Sequence, residues 1–344
     1  MDSARLQRIL DASVDGKRVF GTSFCISLNN DLWSGASGNL TPEQPYFIAS
    51  ATKLFVTALV LKAMDAGTIS LDKPASDYLP GGTMHRLHVI KGVDYSGSIT
   101  VKQLLAHTSG LPDYFQGAVA QNMSLEMKIK QGTDLRWSFN EALDLTRQMP
   151  ARFIPGTRGK AHYSDTNYQL LGKVLEELYN KSFADLVRMT IAEPLEMAST
   201  YVFSDVNDMR PKPLFYQSSK LHLPKAMASF GPDGGAVSTS TDMMRFLQAF
   251  FNGHFFPVEY FAWMECWNRI FFPMRSGVGL HLFKLPWIMN PFGTLPPLMG
   301  HSGLSGALAF ASPAASLYIT GTVNQVAQPD LSFRTAIKLI QSAK

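Results

Sequence analysis

The chain has 344 residues, of which 46% are hydrophobic, and its formal net charge at pH 7 is +4. Such a composition is typical of a globular protein that buries a large core as one big domain or as two lobes. The lysines and arginines are scattered, which gives no electrostatic case for nucleic acid or a membrane surface as a partner, and no apolar run reaches transmembrane length.

The cysteines and the first residues bear on the cellular compartment. Cys25 and Cys266 are unclustered, which supports neither a disulfide framework nor a zinc site and suits a reducing environment. The opening Met1-Asp2-Ser3-Ala4-Arg5-Leu6 reads as a helix and lacks the basic and apolar regions of a secretory signal. We therefore expect a cytoplasmic protein.

The N-terminal segment predicts a helix followed by a hairpin. Apolar positions recur at helical spacing over residues 4–14, and residues 18–28 are rich in strand-forming side chains. The turn signal Asn29-Asn30-Asp31 follows, and a second strand is expected over residues 32–36. These elements predict one edge of an antiparallel sheet.

Residues 48–61 are apolar nearly all round and predict a buried central helix. Ser50 and Lys53 are three residues apart, so the hydroxyl and the amine lie on one helical face. Burial and the positive end of a helix both favour loss of the ammonium proton, which makes an activated serine plausible. Ser70-Leu71-Asp72-Lys73 has the same spacing, but it runs into a proline and is expected in a turn.

The middle of the chain reads as turns and helices. A short helix over residues 99–106 ends at His107-Thr108-Ser109-Gly110-Leu111, and longer helices are expected over residues 138–148, 166–179 and 183–191. Tyr163 lies in a turn just before a helix. A phenol there can point into a cleft, although a tyrosine in a turn is by default a half-buried structural residue.

The C-terminal part returns to strands. Gly231 to Gly235 form a tight turn, and Ser240 or Thr241 is expected to cap the next helix. Strands are expected over residues 278–283, 306–312 and 317–323, and a last helix over residues 330–341. Gly300-His301-Ser302-Gly303 is rich in small residues, which often indicates a close approach of another backbone or a ligand. A bulge or turn is the alternative.

Residues 255–297 are crowded with aromatic side chains. They suit either packed loops and strands or an apolar substrate wall. The aromatic residues in question are Trp263, Trp267, Phe271, Phe272, Trp287 and Phe292.

Strands at both ends with helices between them predict an α+β fold. Residues 1–66 and 231–344 are expected to form a lobe with an antiparallel sheet flanked by the N- and C-terminal helices. Residues 67–230 are expected to form a mainly helical lobe, with the site between the two.

The ordered motifs resemble the serine β-lactamase and penicillin-binding-protein superfamily, most closely its class C-like branch. Ser50-x-x-Lys53, then Tyr163-Ser164-Asp165, then His301-x-Gly303 match that branch's three motifs in order and approximate separation. The branch includes class C β-lactamases, D-aminopeptidases and family VIII carboxylesterases. The resemblance covers nearly the whole chain and implies a β-lactamase/transpeptidase-like fold.

The resemblance also implies roles for individual residues. Ser50 is the acylated nucleophile, and Lys53 and Tyr163 share the removal of its proton. A free tyrosine has a pKa near ~10, and a protonated lysine within a few ångströms is expected to favour the phenolate. The backbone N–H groups of Ser50 and Leu304 are expected to form the oxyanion hole.

Two departures from the family pattern narrow the expected substrate. Asp165 stands where the second motif usually has Asn, which removes an amide donor and holds Lys53 protonated. His301 stands where β-lactamases generally carry Lys, and a neutral imidazole binds a carboxylate poorly. Together with Ser302 and Gly303, both residues are expected to contact the substrate. They favour an intracellular esterase for small or medium acyl esters.

Other functions remain open on the same motifs. An acyltransferase, a D-amino acid amidase, a DD-peptidase or a β-lactamase would share the acyl-enzyme, and a non-catalytic binding protein on this scaffold is a further alternative. No cofactor and no metal are expected. The expected partner is a small-molecule ester or amide, not nucleic acid or a membrane, and the oligomeric state is left open.

Overall fold

The computed structural model describes residues 1–119, 122–291 and 293–343, so Phe292 of the aromatic segment lies outside the described residues. Within these ranges the α-helices are α1 Ser3–Ser13, α2 Lys53–Asp65, α3 Val101–Leu105, α4 Leu125–Lys130, α5 Phe139–Arg147, α6 Asp165–Tyr179, α7 Phe183–Val187, α8 Pro224–Phe230, α9 Ser240–Phe251, α10 Phe261–Met264 and α11 Leu331–Ala343. None of these helices is both long and apolar enough to cross a membrane.

The strands over the same ranges are β1 Gly21–Leu28, β2 Asp31–Gly38, β3 Tyr46–Phe47, β4 Val89–Ile90, β5 Val93–Asp94, β6 Tyr201–Val202, β7 Leu214–Tyr216, β8 Ser219–Leu221, β9 Ala236–Ser238, β10 Asn268–Phe271, β11 Met274–Ser276, β12 His281–Phe283, β13 Leu298–Ser302, β14 Ala307–Ser312 and β15 Leu317–Thr322.

One large antiparallel sheet contains the strands in the order β10-β11-β12-β13-β14-β15-β1-β2. Strands from the two ends of the chain pair inside it, with Cys25 of β1 opposite Thr320 of β15. Asn29 and Asn30 both have positive φ and join β1 to β2 in the predicted turn. The expected antiparallel sheet built from both termini is therefore observed.

Helices cover both faces of the sheet. On one face α1 and α11 pack together, and Leu10, Leu339 and Phe24 belong to the same buried cluster. On the other face α9 packs against β1, β14 and β15. The N-cap of α9 is Thr239, whose side chain accepts from the Asp242 N–H, so the expectation of Ser240 or Thr241 at this position was wrong.

The main core surrounds α2, in which every residue from Lys53 to Leu61 is buried. Leu105 of α3, Leu171 of α6 and Ala309 of β14 belong to the same core. Apolar contact is thus continuous between the sheet and the helical segment. The lobe boundaries at residues 67 and 230 stay a prediction.

Candidate active site

Ser50 lies in a short 3₁₀ turn, Ala49–Thr52, that leads directly into α2. Ala49 has φ of +46°, a left-handed conformation that costs a residue with a Cβ about 1 kcal/mol or more. Such strain tends to occur at sites where a side chain must be presented in a fixed direction. The turn places the Ser50 hydroxyl at the entrance of the buried helix.

Lys53 is the first residue of α2 and is fully buried. Its Nζ lies 3.3 Å from Ser50 Oγ and 2.6 Å from Asp165 Oδ1, and it also donates to the Asp233 carbonyl. Asp165 begins α6, where the positive end of the helix favours a carboxylate. The predicted proximity of Asp165 to Lys53 is therefore observed as a buried ion pair.

Tyr163 comes from the turn before α6, and its Oη donates to Ser50 Oγ at 2.7 Å. Burial, and then the negative charge of Asp165, raise the pKa of Tyr163 well above its usual value. The expectation that Lys53 favours the phenolate was therefore wrong in direction. The Lys53 charge is already paired with Asp165, and the phenol is desolvated.

His107 holds the turn that carries Tyr163. Its carbonyl accepts from the His162 N–H at 2.8 Å, and its Nδ1 accepts from the Ser164 N–H at 3.2 Å. Its ring stacks on the Tyr163 ring with centroids 4.7 Å apart. The residues on both sides of Tyr163 are thus held by one residue, through its carbonyl on one side and its ring on the other.

Two further buried carboxyls lie near the ion pair. Asp233 accepts from the Tyr114 hydroxyl and the Gln169 amide, whereas Asp113 accepts from backbone N–H groups. Burial, and then the Asp165 charge, raise the pKa of both carboxyls well above the usual value. One lysine charge cannot neutralise three carboxylates, so Asp113 and Asp233 keep their protons to a higher pH than a free aspartic acid does.

The end of β13 approaches the Ser50 turn through Gly303. A Cβ on this glycine would lie 2.4 Å from the Ile48 carbonyl oxygen and 2.8 Å from the Ala49 Cβ, so only glycine permits the contact. Within the described residues the N–H groups of Ser50 and Leu304 donate to no acceptor. Both are therefore free to bind an oxyanion.

Three buried imidazoles lie beside Tyr163. Those of His107, His281 and His301 have ring nitrogens within 4.8 Å of one another, a spacing that a metal site could use. Nδ1 of His107 accepts from the Ser164 N–H. The proton of that ring is therefore on Nε2, and Nε2 has no lone pair with which to bind a metal. His281 and His301 stack with centroids 4.1 Å apart, so their in-plane lone pairs do not converge. The cluster does not fit a three-histidine metal centre.

The hydrogen bond of His301 fixes its tautomer. Its Nδ1 lies 2.8 Å from the Ser302 carbonyl and therefore carries the proton, while its buried Nε2 has no partner in the described part of the chain. Burial, and then the neighbouring His281 and Lys53, lower the pKa of His301 well below its usual value. A neutral ring in this tautomer accepts a hydrogen bond and cannot donate one to a carboxylate.

Ser50 opens on a cleft of about 610 Å³. The walls are mainly apolar and include Phe115, Phe271, Phe272, Phe283 and Phe333. The charged residues that line the cleft are Asp165 and Asp330, and no described lysine or arginine lines it. A smaller cavity of about 50 Å³ also adjoins Ser50 and Leu304, and its other walls include Met227, Phe230 and Gly234.

All eight residues singled out from the sequence meet at this one place. Ser50, Tyr163, Asp165, His301, Ser302, Gly303 and Leu304 line the cleft, and Lys53 bonds to two of them. Sequence reasoning missed His281, Asp113 and Asp233. The aromatic segment contributes only in part, because Trp263 and Trp267 pack on the main core and Trp287 is exposed.

Comparison with known proteins shows what the whole chain is similar to. The beta-lactamase family model matches residues 6–342. The D-alanyl-D-alanine-carboxypeptidase/endopeptidase AmpH of Escherichia coli K12 is 28% identical over 210 residues, which are 61% of this chain and 49% of AmpH. The chain thus spans about half the length of this relative.

Two solved structures share the fold. The D-amino acid amidase from Ochrobactrum anthropi SV3 superposes with a TM-score of 0.78 at 23% identity, covering 98% of this chain and 99% of the amidase. EstCE1, described as a hydrolase with promiscuous acyltransferase activity, gives a TM-score of 0.78 at 17% identity and covers 97% and 98% of the two chains. The predicted β-lactamase/transpeptidase-like fold is therefore confirmed.

Proposed function

Because the chain belongs to the beta-lactamase family, we propose that it is a serine hydrolase that cleaves carboxylic esters of small or medium acyl groups through an acyl-enzyme on Ser50. The proposal rests on the contacts that Ser50 Oγ makes. Ser50 Oγ lies 2.7 Å from the Tyr163 hydroxyl and 3.3 Å from the Lys53 amine.

The first half of the reaction forms the acyl-enzyme. Tyr163 first loses its phenol proton to water. Ser50 Oγ then attacks the ester carbonyl as its own proton passes to the Tyr163 phenolate, and the carbonyl oxygen becomes an oxyanion bound by the Ser50 and Leu304 N–H groups. The tetrahedral intermediate then expels the alcohol, which takes the proton back from Tyr163. The ion pair with Asp165 fixes the position of the Lys53 amine beside Ser50.

Water repeats the same steps in the second half. It gives a proton to Tyr163 and attacks the acyl carbonyl, and the carboxylic acid leaves as Ser50 recovers its proton. The mechanism needs no group beyond the side chains and N–H groups described.

The charges of the cleft favour esters over substrates that carry a carboxylate. Asp165 and Asp330 line the cleft without a lysine or arginine at its described surface. The ring proton of His301 is already bonded to the Ser302 carbonyl, so His301 supplies no donor, and a carboxylate needs a donor or a cation. The apolar walls suit an uncharged alcohol or acyl chain. D-amino acid amides, which also carry no carboxylate, are the second candidate.

Labelling with a fluorophosphonate tests the acyl-enzyme. We expect the mass of the intact protein to increase by one phosphonyl group and the Ser50→Ala variant to stay unlabelled. Absence of labelling in the folded wild-type protein would leave a non-catalytic binding protein as the better interpretation.

A comparison of three substrates tests the substrate class. A p-nitrophenyl ester, a D-alanyl amide and a chromogenic cephalosporin share the acyl-enzyme step and differ in the bond that is broken. We expect the highest kcat/KM for the ester and the lowest for the cephalosporin, which carries a carboxylate. A clear preference for the cephalosporin would refute the esterase proposal while leaving the Ser50 nucleophile intact.

A further inference from the structure

One end of the large sheet, next to the cleft, carries five exposed apolar side chains. Phe271 and Phe272 form the tip of the β10–β11 hairpin and are 49% and 74% exposed. Trp287, Ile288 and Met289 form a short 3₁₀ helix after β12 and are 77%, 80% and 57% exposed. We call these five residues the apolar rim. Exposed clusters of large apolar side chains usually indicate an interaction surface.

The two parts of the apolar rim leave the sheet at the same end. Met274, the first residue of β11, pairs with Phe283, the last residue of β12. The residues just before Met274 and just after Phe283 therefore emerge side by side. Phe271 and Phe272 also line the catalytic cleft, so the hairpin part of the rim borders the cleft.

Cations flank the rim without acidic partners. Arg269 and Arg275 lie directly opposite each other on β10 and β11, and Lys284 follows β12. All three are exposed, and none forms an ion pair with any described residue. Like charges directly opposite on neighbouring strands are destabilising. An anionic surface against this edge would remove that repulsion.

We propose that this edge docks on an anionic phospholipid surface, with the apolar rim inserted among the acyl chains and Arg269, Arg275 and Lys284 at the headgroups. Tryptophan and phenylalanine beside arginine and lysine are the residues that bind at such interfaces. The charges are scattered along the chain and did not predict this, because only the fold brings residues 269, 275 and 284 to one edge. The proposal does not depend on which bond the site cleaves.

Docking in this way brings the cleft entrance to the lipid. An apolar substrate dissolved in the bilayer could then pass between Phe271 and Phe272 without crossing water. The rim gives the protein a reversible surface contact, since a few inserted side chains and three cations bind far more weakly than a spanning helix.

Vesicle flotation with the full chain tests the proposal. One set of vesicles consists of phosphatidylcholine, and the other is an equimolar mixture of phosphatidylcholine and phosphatidylglycerol. We expect binding to the anionic vesicles, weak or no binding to the zwitterionic ones, and loss of binding as salt is added.

Arg269→Gln with Arg275→Gln should weaken binding about 30-fold. Trp287→Ser with Ile288→Ser should weaken it at least about tenfold.

Matched variants elsewhere serve as controls. Arg5→Gln with Arg8→Gln removes two exposed arginines from α1, and Met209→Ser replaces an exposed apolar side chain outside the rim. We expect both controls to bind as the wild type does. Equal binding by all variants, or absence of binding to anionic vesicles, overturns the proposal. A concentration-dependent dimer that only the rim variants abolish, without vesicle binding, overturns it in favour of self-association.

Discussion

Tyr163 holds its proton more tightly than a free tyrosine does, and this controls how the site can work. Burial and the charge of Asp165 both raise the pKa of the phenol, so the phenol is the resting form. A base that accepts the Ser50 proton must first be ionised. At pH values below that pKa, the ionised fraction of Tyr163 increases about tenfold for each unit by which the pH rises.

The raised pKa of Tyr163 determines how ester hydrolysis depends on pH. We expect kcat/KM to increase with pH from neutrality into the alkaline range, and Tyr163→Phe to remove most of the activity, about 10² to 10⁴-fold. Asp165→Asn removes a charge that raises the pKa of Tyr163, so the increase should begin at least about one pH unit lower. Stopped-flow or steady-state assays of a p-nitrophenyl ester across pH give these values.

Asp330→Asn is the matched control for the pH experiment. Asp330 also lines the cleft, but its carboxylate is paired with Arg334 at 2.9 Å. We expect its profile to overlay that of the wild type. A profile of Asp165→Asn that coincides with the wild type, in a protein that still folds, would contradict Tyr163 as the base.

Site residues that belong to a short motif could be predicted from the sequence. Site residues that reach the site only through the tertiary fold could not. Ser50 and Lys53 are adjacent on one helical turn, so their contact follows from local geometry. His281 is more than a hundred residues from Tyr163 along the chain and belongs to no motif. Its place beside His301 depends on the register between β12 and β13, in which His281 pairs with Gly300.

The contact between the end of β13 and the Ser50 turn is the element on which the oxyanion hole depends. A Cβ at Gly303 would meet the Ile48 carbonyl oxygen at 2.4 Å and force the two backbones apart. We expect Gly303→Ala to lower kcat/KM by about 10² or more, because the Leu304 N–H would lose its alignment with that of Ser50. Circular dichroism and thermal melting check that the fold is retained.

Gly97→Ala is the control for this substitution. A Cβ at Gly97 meets no atom within 4 Å, and the residue lies in an exposed turn. This variant should keep wild-type kcat/KM. Full activity of a folded Gly303→Ala protein would show that Leu304 is not part of the oxyanion hole.

We expect the cavity of about 50 Å³ beside Ser50 to bind the acyl group of the substrate and so to limit the length of that group. Gly234 lines it, and a Cβ there would meet Ala49 and Phe230 at 3.6 Å, which is ordinary contact. Gly234→Ala should therefore fold and fill part of the cavity. We expect the ratio of kcat/KM for butyryl to acetyl esters to fall about tenfold or more.

Met227→Ala is the opposite change in the same wall, and we expect it to raise the butyryl-to-acetyl ratio. Gly97→Ala should leave that ratio unchanged. If neither wall variant alters the ratio, the acyl group binds in the larger cleft instead.

Long periodic elements could be predicted from the sequence, whereas short ones could not. Residues 166–179 show helical spacing over four turns and match α6 closely. β10 and β11 are only four and three residues long, too short for an alternating pattern to stand out among aromatic neighbours. They form a hairpin because β12 offers β11 a partner, and that depends on the tertiary fold.

Four buried charged or titratable groups connect the sheet side of the molecule with its helical side. Lys53 belongs to α2, Asp165 to α6, Asp113 to the segment after α3, and Asp233 to the turn before β9. Only one of the three carboxyls can be neutralised by the lysine. The other two add a dependence on pH to the stability of the whole molecule.

Replacing Asp233 by asparagine should make that dependence visible. The folded state raises the pKa of Asp233 well above 3.8, so the folded protein keeps a proton that the unfolded chain loses above about pH 4. The free energy of unfolding therefore falls as pH rises from about 4 through the raised pKa, by up to about 1.4 kcal/mol per pH unit. Asparagine cannot ionise and can accept from Tyr114 in the same way.

Urea unfolding at several pH values should show that Asp233→Asn gains stability relative to the wild type as pH increases. Asp72→Asn, an exposed control, should parallel the wild type. Parallel curves for both variants would mean that Asp233 is already ionised in the fold.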